Sequence, residues 1–361
     1  DMCMESSPRI ALDLELAEEG IMAPRLGVEH ARWASPANHP DQRHLPAALA
    51  EADFTLTAEV VQGLIELGDY APVIGDHGKL ILGLRGCRLV GPVGKAEDQA
   101  EIRLAPAIPD HERFRCLIGV VDMGTGLISL YPGSTVPRRT GMLGHYNARH
   151  FADRAAPCNM LPTGCYEYCV GTHRSQSLGA VSHVLRLGNG PEPGDRSAAT
   201  VLRTAGDLIY GIDDQWDHTR PGDNIHPAFL ANSFSSLGSL TVEGSQHGFN
   251  APVATATGAW ADFRRAAGFE GQNYAQRYDL LLVTGHEAAS VAAGQAVPCL
   301  RHGSQGARVR HLQKVLGLRQ DGRFGPATRK ALADRQRAEL GHATGAWSPD
   351  VARDMGISFQ P

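Results

Sequence analysis

The chain has 361 residues, including 41 Gly and 22 Pro, with 42% hydrophobic and 20% charged residues. That apolar share supports a buried core and excludes a collagenous, low-complexity or wholly disordered chain, and the length predicts two or three domains. A net charge of −5, from 34 Lys and Arg against 39 Asp and Glu, provides no basic field for nucleic acid. No window approaches the roughly 18 apolar residues of a membrane helix, so no membrane span is expected. The start at Asp1, with no basic-then-apolar leader, is expected of a chain whose leader was removed or trimmed.

In chain order, the first segment shows an apolar alternation at Ile10, Leu12, Leu14 and Leu16, then a loop from Pro36 to Pro46. Leu56, Val60, Val61, Leu64 and Leu67 share one helical face, with Thr55 placed to cap the start and Gly68 to end it. Lys79 to Val90 reads as a strand pair broken at Gly86, and Glu97 to Glu112, with two prolines and many charges, as a boundary or exposed connection. From there the pattern is β. Cys116 to Asp122 and Leu127 to Tyr131 flank the turn Met123-Gly124-Thr125-Gly126 as a hairpin. Short strands are expected at Tyr166 to Val170, Val184 to Leu187 and Leu208 to Gly211, a helix at Trp260 to Ala267 and a buried strand at Tyr278 to Thr284.

After a linker at Gln295 to Pro298, three short helices are expected. Ser304 is placed to cap one carrying Val309, Leu312, Val315 and Leu316; Gly325-Pro326 opens the second and Ser348-Pro349-Asp350 the third. Seven cysteines (Cys3, Cys87, Cys116, Cys158, Cys165, Cys169 and Cys299) cannot all pair, and none forms a C-x-x-C unit. Buried thiols or one disulfide are expected over a metal or redox site at Cys158, Cys165 and Cys169.

Leu300-Arg301-His302-Gly303-Ser304, the pair Leu312-Gln313 and the turn Asp321-Gly322-Arg323-Phe324-Gly325-Pro326-Ala327-Thr328 together resemble the three-helix peptidoglycan-binding module of bacterial cell-wall enzymes, over nearly all of 299 to 356. Arg335, where that family usually has an aromatic, and the degenerate turn at Thr344 to Asp350 depart from it. The resemblance implies a wall-binding role carried by Asp321, Phe324 and Thr328; a bundle without wall affinity is the alternative.

Gly222-Asp223-Asn224-Ile225-His226-Pro227 followed by Ser235-Ser236-Leu237-Gly238-Ser239-Leu240 resembles the active-site stretch of L,D-transpeptidases, in which an Ile-His step precedes a Ser/Thr-x-Gly-Cys turn. Val120 to Asp122, Gly133 to Pro137, Pro162 to Tyr166 and Tyr278 to Gly285 extend the likeness over roughly 115 to 290. It implies an α+β chain: a mixed N-terminal accessory region (1–112), a β-rich L,D-transpeptidase-like domain (113–294) and the C-terminal three-helix module (299–361).

The implied catalytic residues are His226 as base, Gly238 in the turn that holds the oxyanion, and Ser239 at the nucleophile position. Ser236, Asn224 and Arg220 are the implied substrate contacts, with Arg196 an alternative carboxylate ligand and His286 within reach from the closing strand. The family nucleophile is Cys, whose thiol ionises far more readily than an alcohol. Ser239 therefore leaves three readings: a position changed from Cys, a serine enzyme, or a non-catalytic wall-peptide binder. A zinc peptidase using Asp217, His218, His226 and His247 is the rival enzyme class, although no H-x-x-x-H or His-x-x-Glu spacing occurs. No cofactor or metal is implied. The expected partners are peptidoglycan stem peptides and glycan, in the periplasm or cell envelope, or in phage-driven lysis.

Overall fold

The structure, a computed structural model, describes residues 52–360 apart from 73, 75–76, 92–93, 110, 140, 143–157, 174–180, 189–197, 204–214, 231, 247–254 and 270–275. The readings at Ile10 to Leu16, Pro36 to Pro46 and Leu208 to Gly211 lie outside the described residues, as do Cys3, Arg196 and His247.

Strand β1 (Phe54–Leu56) leads into helix α1 (Ala58–Leu67), which buries Val61, Leu64 and Ile65. The cap is Thr57 rather than Thr55, its Oγ1 accepting the Val60 N–H at 3.4 Å. Phe54, Thr55 and Leu56 are drawn into a strand first, which delays the helix start. Gly86, at φ 62°, separates β2 (Lys79–Arg85) from β3 (Cys87–Leu89), and a Cβ there would lie 2.3 Å from the Ala107 carbonyl oxygen. These two strands do not pair with each other but enter different sheets.

The segment expected to be an exposed connection instead contains β4 (Ala96–Gln99) and β5 (Ile102–Pro106). β5 is the middle strand of a small sheet ordered β1-β5-β3. Ile102 and Leu104 alternate inward to the cluster that α1 covers, while Arg103 points out; the charges and prolines around them hid this two-residue period.

The hairpin of β6 (Cys116–Asp122) and β7 (Ile128–Ser134) turns where expected, with Asp122 Oδ1 accepting the Gly124 and Thr125 N–H groups. Then follow β8 (Gly164–His173), β9 (Val181–Leu187), β10 (Ala199–Arg203), β11 (Gln215–Thr219) and β12 (Ile225–Pro227). The short β13 (Phe229–Leu230), β14 (Ser233–Phe234) and β15 (Leu240–Val242) precede helix α2 (Ala259–Ala267), strand β16 (Arg277–Thr284) and helix α3 (Gly285–Ala292).

Nine strands form one sheet in the order β15-β12-β9-β8-β16-β2-β6-β7-β4, and β15 also pairs with β7. Eight strands thereby close into a ring. The outer edge of β7 is shared: Ile128 and Leu130 face β4, whereas Gly133 and Ser134 pair with Val242 and Thr241 of β15. Every ring strand contributes to one apolar cluster, which includes Ile81, Ile118, Tyr131, Tyr168, Leu185, Ile225, Leu240 and Leu280 and packs against Trp260 and Phe263 of α2. The opposite faces of β2, β6 and β16 pack under α1, α3 and β5. With both faces covered, these strands read as unbroken apolar runs rather than alternating ones.

Helices α4 (Ala307–Val315), α5 (Pro326–Leu340) and α6 (Pro349–Asp354) share a core of Leu300, Val309, Leu312, Phe324, Leu332, Trp347, Ala352 and Phe359. Pro326 and Pro349 sit in the first turns of α5 and α6, and Ser348 caps α6. Ser304 does not cap α4: Gly306 precedes that helix, and Ser304 Oγ accepts the Arg301 N–H at 2.9 Å instead.

This segment is bonded to the ring through β8, and also to β10 and to the end of α1. Cys165 N–H donates to the His302 carbonyl at 2.8 Å, Thr200 Oγ1 to the Pro326 carbonyl at 2.6 Å, and Cys299 N–H to the Leu67 carbonyl at 3.0 Å. The chain is thus α+β, and β2, from the first 112 residues, lies between β6 and β16 in the middle of the large sheet.

Candidate functional site

The site forms where the ring is narrowest in pairing. β12 and β15 run parallel, with Ile225 opposite Leu240, His226 opposite Thr241 and Pro227 opposite Val242. Ile225, Leu240 and Val242 belong to the ring's interior cluster, so alternation places Asn224 and His226 on the other side with Thr241. Ser239 immediately precedes β15 and is level with Asn224, which makes His226 its diagonal neighbour. Asn224 donates its N–H to Ser239 Oγ at 3.2 Å and accepts the Leu240 N–H at 2.8 Å. Both candidate groups are buried, His226 at 2% and Ser239 at 8% exposure.

His226 Nδ1 lies 2.7 Å from the Pro227 carbonyl oxygen. A carbonyl only accepts, so Nδ1 carries a proton, and when the ring is neutral its lone pair is at Nε2. The ring packs against His173 (centroids 4.2 Å apart) and Phe229 (5.1 Å), while the Asn224 side-chain amide donates to His173 Nδ1 at 3.0 Å. Phe229 adopts φ 66°, a left-handed conformation that a bulky residue rarely takes. Bonds from Ala228 N–H to the Val242 carbonyl and from Phe229 N–H to the Gly244 carbonyl hold it there.

The turn before Ser239 is braced on several sides. Ser236 Oγ accepts the Gly238 N–H at 3.0 Å and donates to the Ser239 carbonyl at 2.6 Å. Arg138 N–H reaches the Ser236 carbonyl and Asn159 N–H the Leu237 carbonyl. Beneath the turn, the Asn159 side-chain amide donates to Asp223 Oδ2 at 2.5 Å, and Tyr168 donates its hydroxyl to the Asp223 carbonyl. A Cβ on Gly238 would lie 2.3 Å from Asn159 Nδ2 and 2.5 Å from Asp223 Oδ1, so only glycine lets the turn approach this pair. Burial raises the Asp223 carboxyl to about 7, against the opposing pull of the Asn159 bond and of Arg203 and Arg85.

Among the residues singled out from the sequence, the structure brings together His226, Ser239, Gly238, Ser236 and Asn224. It uses some differently. The Ser236 hydroxyl is taken up inside the turn, and so is the Gly238 N–H, whereas the adjoining Ser239 N–H has no acceptor among the described residues. Asn224 meets Ser239 through its backbone. Arg220 is exposed beyond β11, and His286 sits in the first turn of α3, among the elements that cover the ring's outer face. No hydrogen bond joins Ser239 Oγ to His226.

Asp217 is paired with Arg203 at 2.6 Å and His218 is exposed on the same strand; among the described residues no three His, Cys, Asp or Glu side chains could hold a metal ion. The six described cysteines are buried and form no disulfide. Burial pushes the Cys158 thiol up to about 12 and Cys165 well above its ordinary value, which leaves inert thiols, and the two belong to different apolar clusters. In the C-terminal segment, Phe324 is core, while Asp321 Oδ1 and Thr328 Oγ1 both accept from Gln313 Nε2, so all three residues support the segment's own fold.

No family model matches this chain, and neither does any curated protein or solved structure. His173 and Asn159, which complete the site, lie 51 and 64 positions from their partners Asn224 and Asp223 and carry no local motif.

Proposed function

We propose that this chain carries out acyl transfer on the stem peptides of peptidoglycan, in the manner of an L,D-transpeptidase, with position 239 as nucleophile and His226 as base. The observation that carries this reading is the parallel pairing of β12 with β15, which sets His226 and Ser239 on one side of the sheet as diagonal neighbours. The Nδ1 bond to Pro227 leaves Nε2 as the proton acceptor.

In the first half-reaction the position-239 side chain attacks the carbonyl of the scissile L,D bond and its proton passes to His226. The oxyanion is held by the Ser239 N–H, and the terminal D-residue leaves as an amine that takes the proton back. An incoming amine or water then releases the acyl group. A serine has to lose its proton during attack, so the chain as it stands is slow, and Ser239→Cys is the fast form. Residues 299–361 are assigned a wall-anchoring role beside this site. The cell envelope, or phage-driven lysis, is the setting that fits this substrate.

One observation favours a second reading, a non-catalytic wall-peptide binder: Ser239 Oγ already accepts the Asn224 N–H and is not bonded to His226. Incubating purified muropeptides with the chain, with Ser239→Cys and with Ser239→Cys/His226→Gln separates the two. For the Ser239→Cys form, acyl transfer predicts a mass increment on the peptide that carries position 239 and release of the terminal D-residue, both abolished with His226→Gln. A Ser239→Cys form that binds muropeptides but gains no mass overturns it in favour of the binder.

A further inference from the structure

The buried pair Asp223 and Asn159 is larger in consequence than a packing detail, because it touches the nucleophile turn from two sides. Asn159 holds the Leu237 carbonyl with its backbone N–H and Asp223 with its side chain. Asp223 flanks Gly238 and is joined through one peptide bond to the N–H that donates to Ser239 Oγ. We propose that Asp223 is a positioning residue whose charge state sets the reactivity of position 239. This rests on the reading of position 239 as nucleophile.

The groups that face Asp223 are Arg85 from β2, Arg203 from β10, the Tyr168 hydroxyl from β8, and Cys158 next to Asn159; His226 lies three residues on along the chain. Both arginines are engaged elsewhere. Arg85 donates to Thr135 Oγ1 at 3.0 Å and to the Leu161 carbonyl at 2.5 Å, and Arg203 binds Asp217. Neither neutralises the carboxylate outright, which agrees with the raised value of about 7.

Neutral Asp223 leaves the turn free of charge beneath it. Ionised Asp223 places a buried negative charge beside Gly238, where it opposes both a thiolate at position 239 and the oxyanion of the reaction. Reactivity should therefore step down, relative to an uncharged residue, as pH rises through neutrality.

The test needs no wall substrate, so it fails independently of the acyl-transfer reading. In the Ser239→Cys chain, alkylation of the introduced thiol by iodoacetamide is followed by peptide mass between pH 5.5 and 8.5, alone and with Asp223→Asn. Expected are rates within about twofold of each other at pH 5.5 and at least threefold faster alkylation with Asp223→Asn at pH 8.5. A ratio independent of pH overturns the proposal, since a purely structural role changes the rate by one factor throughout. Should Asp223→Asn not fold, Asn159→Ala moves the same step to higher pH by removing a bond that favours the ionised form. A Ser239→Cys profile that follows a single thiol titration, without a second step, overturns it with no second substitution.

Discussion

His173 packs against His226 with ring centroids 4.2 Å apart and planes tilted by 34°, and Asn224 ties His173 to the strand that carries His226. The His226 imidazole is thus held by a residue from β8, on the far side of β9 in the sheet order. His173→Ala removes that wall. In the Ser239→Cys background we expect acylation by muropeptide to fall by about tenfold or more, since small misplacements of a base cost rate steeply. His173→Phe, which keeps a ring, should lose less. Equal rates for both variants and their parent sink the positioning role.

Gly238→Ala tests the close approach of the turn to Asn159 and Asp223. Its Cβ would fall 2.3 Å and 2.5 Å from their polar atoms, so the turn or the pair has to move. Overpacking of this kind costs about 1–3 kcal/mol. A urea titration reads it as a lower midpoint at unchanged slope, and a midpoint equal to the parent's shows that the turn relaxes freely.

Arg301 and Glu287 form a buried ion pair between the C-terminal segment and α3, with Arg301 also donating to Thr163 at 2.6 Å. Removing one partner leaves an uncompensated buried charge, expected to cost about 3–5 kcal/mol. Arg301→Met alone should therefore destabilise strongly. Arg301→Met with Glu287→Leu should recover most of the loss, because apolar replacement of both charges avoids their desolvation. A double variant no more stable than the single one contradicts this account.

Half-buried His302 and buried Asp223 bend stability with pH in opposite directions. Burial lowers His302 to about 3, with Arg329 and His218 adding to the effect, while the ring stacks on Tyr166 at 4.4 Å. The native state then binds fewer protons than the unfolded one. The His302 contribution is present above about 6.5 and is lost as pH falls toward 3. Asp223 is raised, so its contribution is present below about 4 and is lost as pH rises through about 7. Thermal melts across pH 4 to 8 should show His302→Phe flattening the acid side and Asp223→Asn the neutral side. Parallel curves for variants and parent rule out the corresponding titration.

Much of the local structure is legible in the residues themselves. The helical positions of Val61 and Leu64, the β6–β7 turn, the apolar run of β16 and the Pro-led starts of α5 and α6 follow from forces between near neighbours, which a sequence displays directly. The juxtaposition of His226 and Ser239 is legible too, as a motif. What the tertiary structure alone decides is pairing over distance: β5 as a buried middle strand, ring closure through Thr241 with Ser134 and Val242 with Gly133, and Asn159 and His173 against the site. It also turns Asp321 and Thr328 inward to Gln313 and commits Ser236 to its own turn. These contacts depend on which surfaces the packed strands bring together, and no residue's immediate neighbours carry that information.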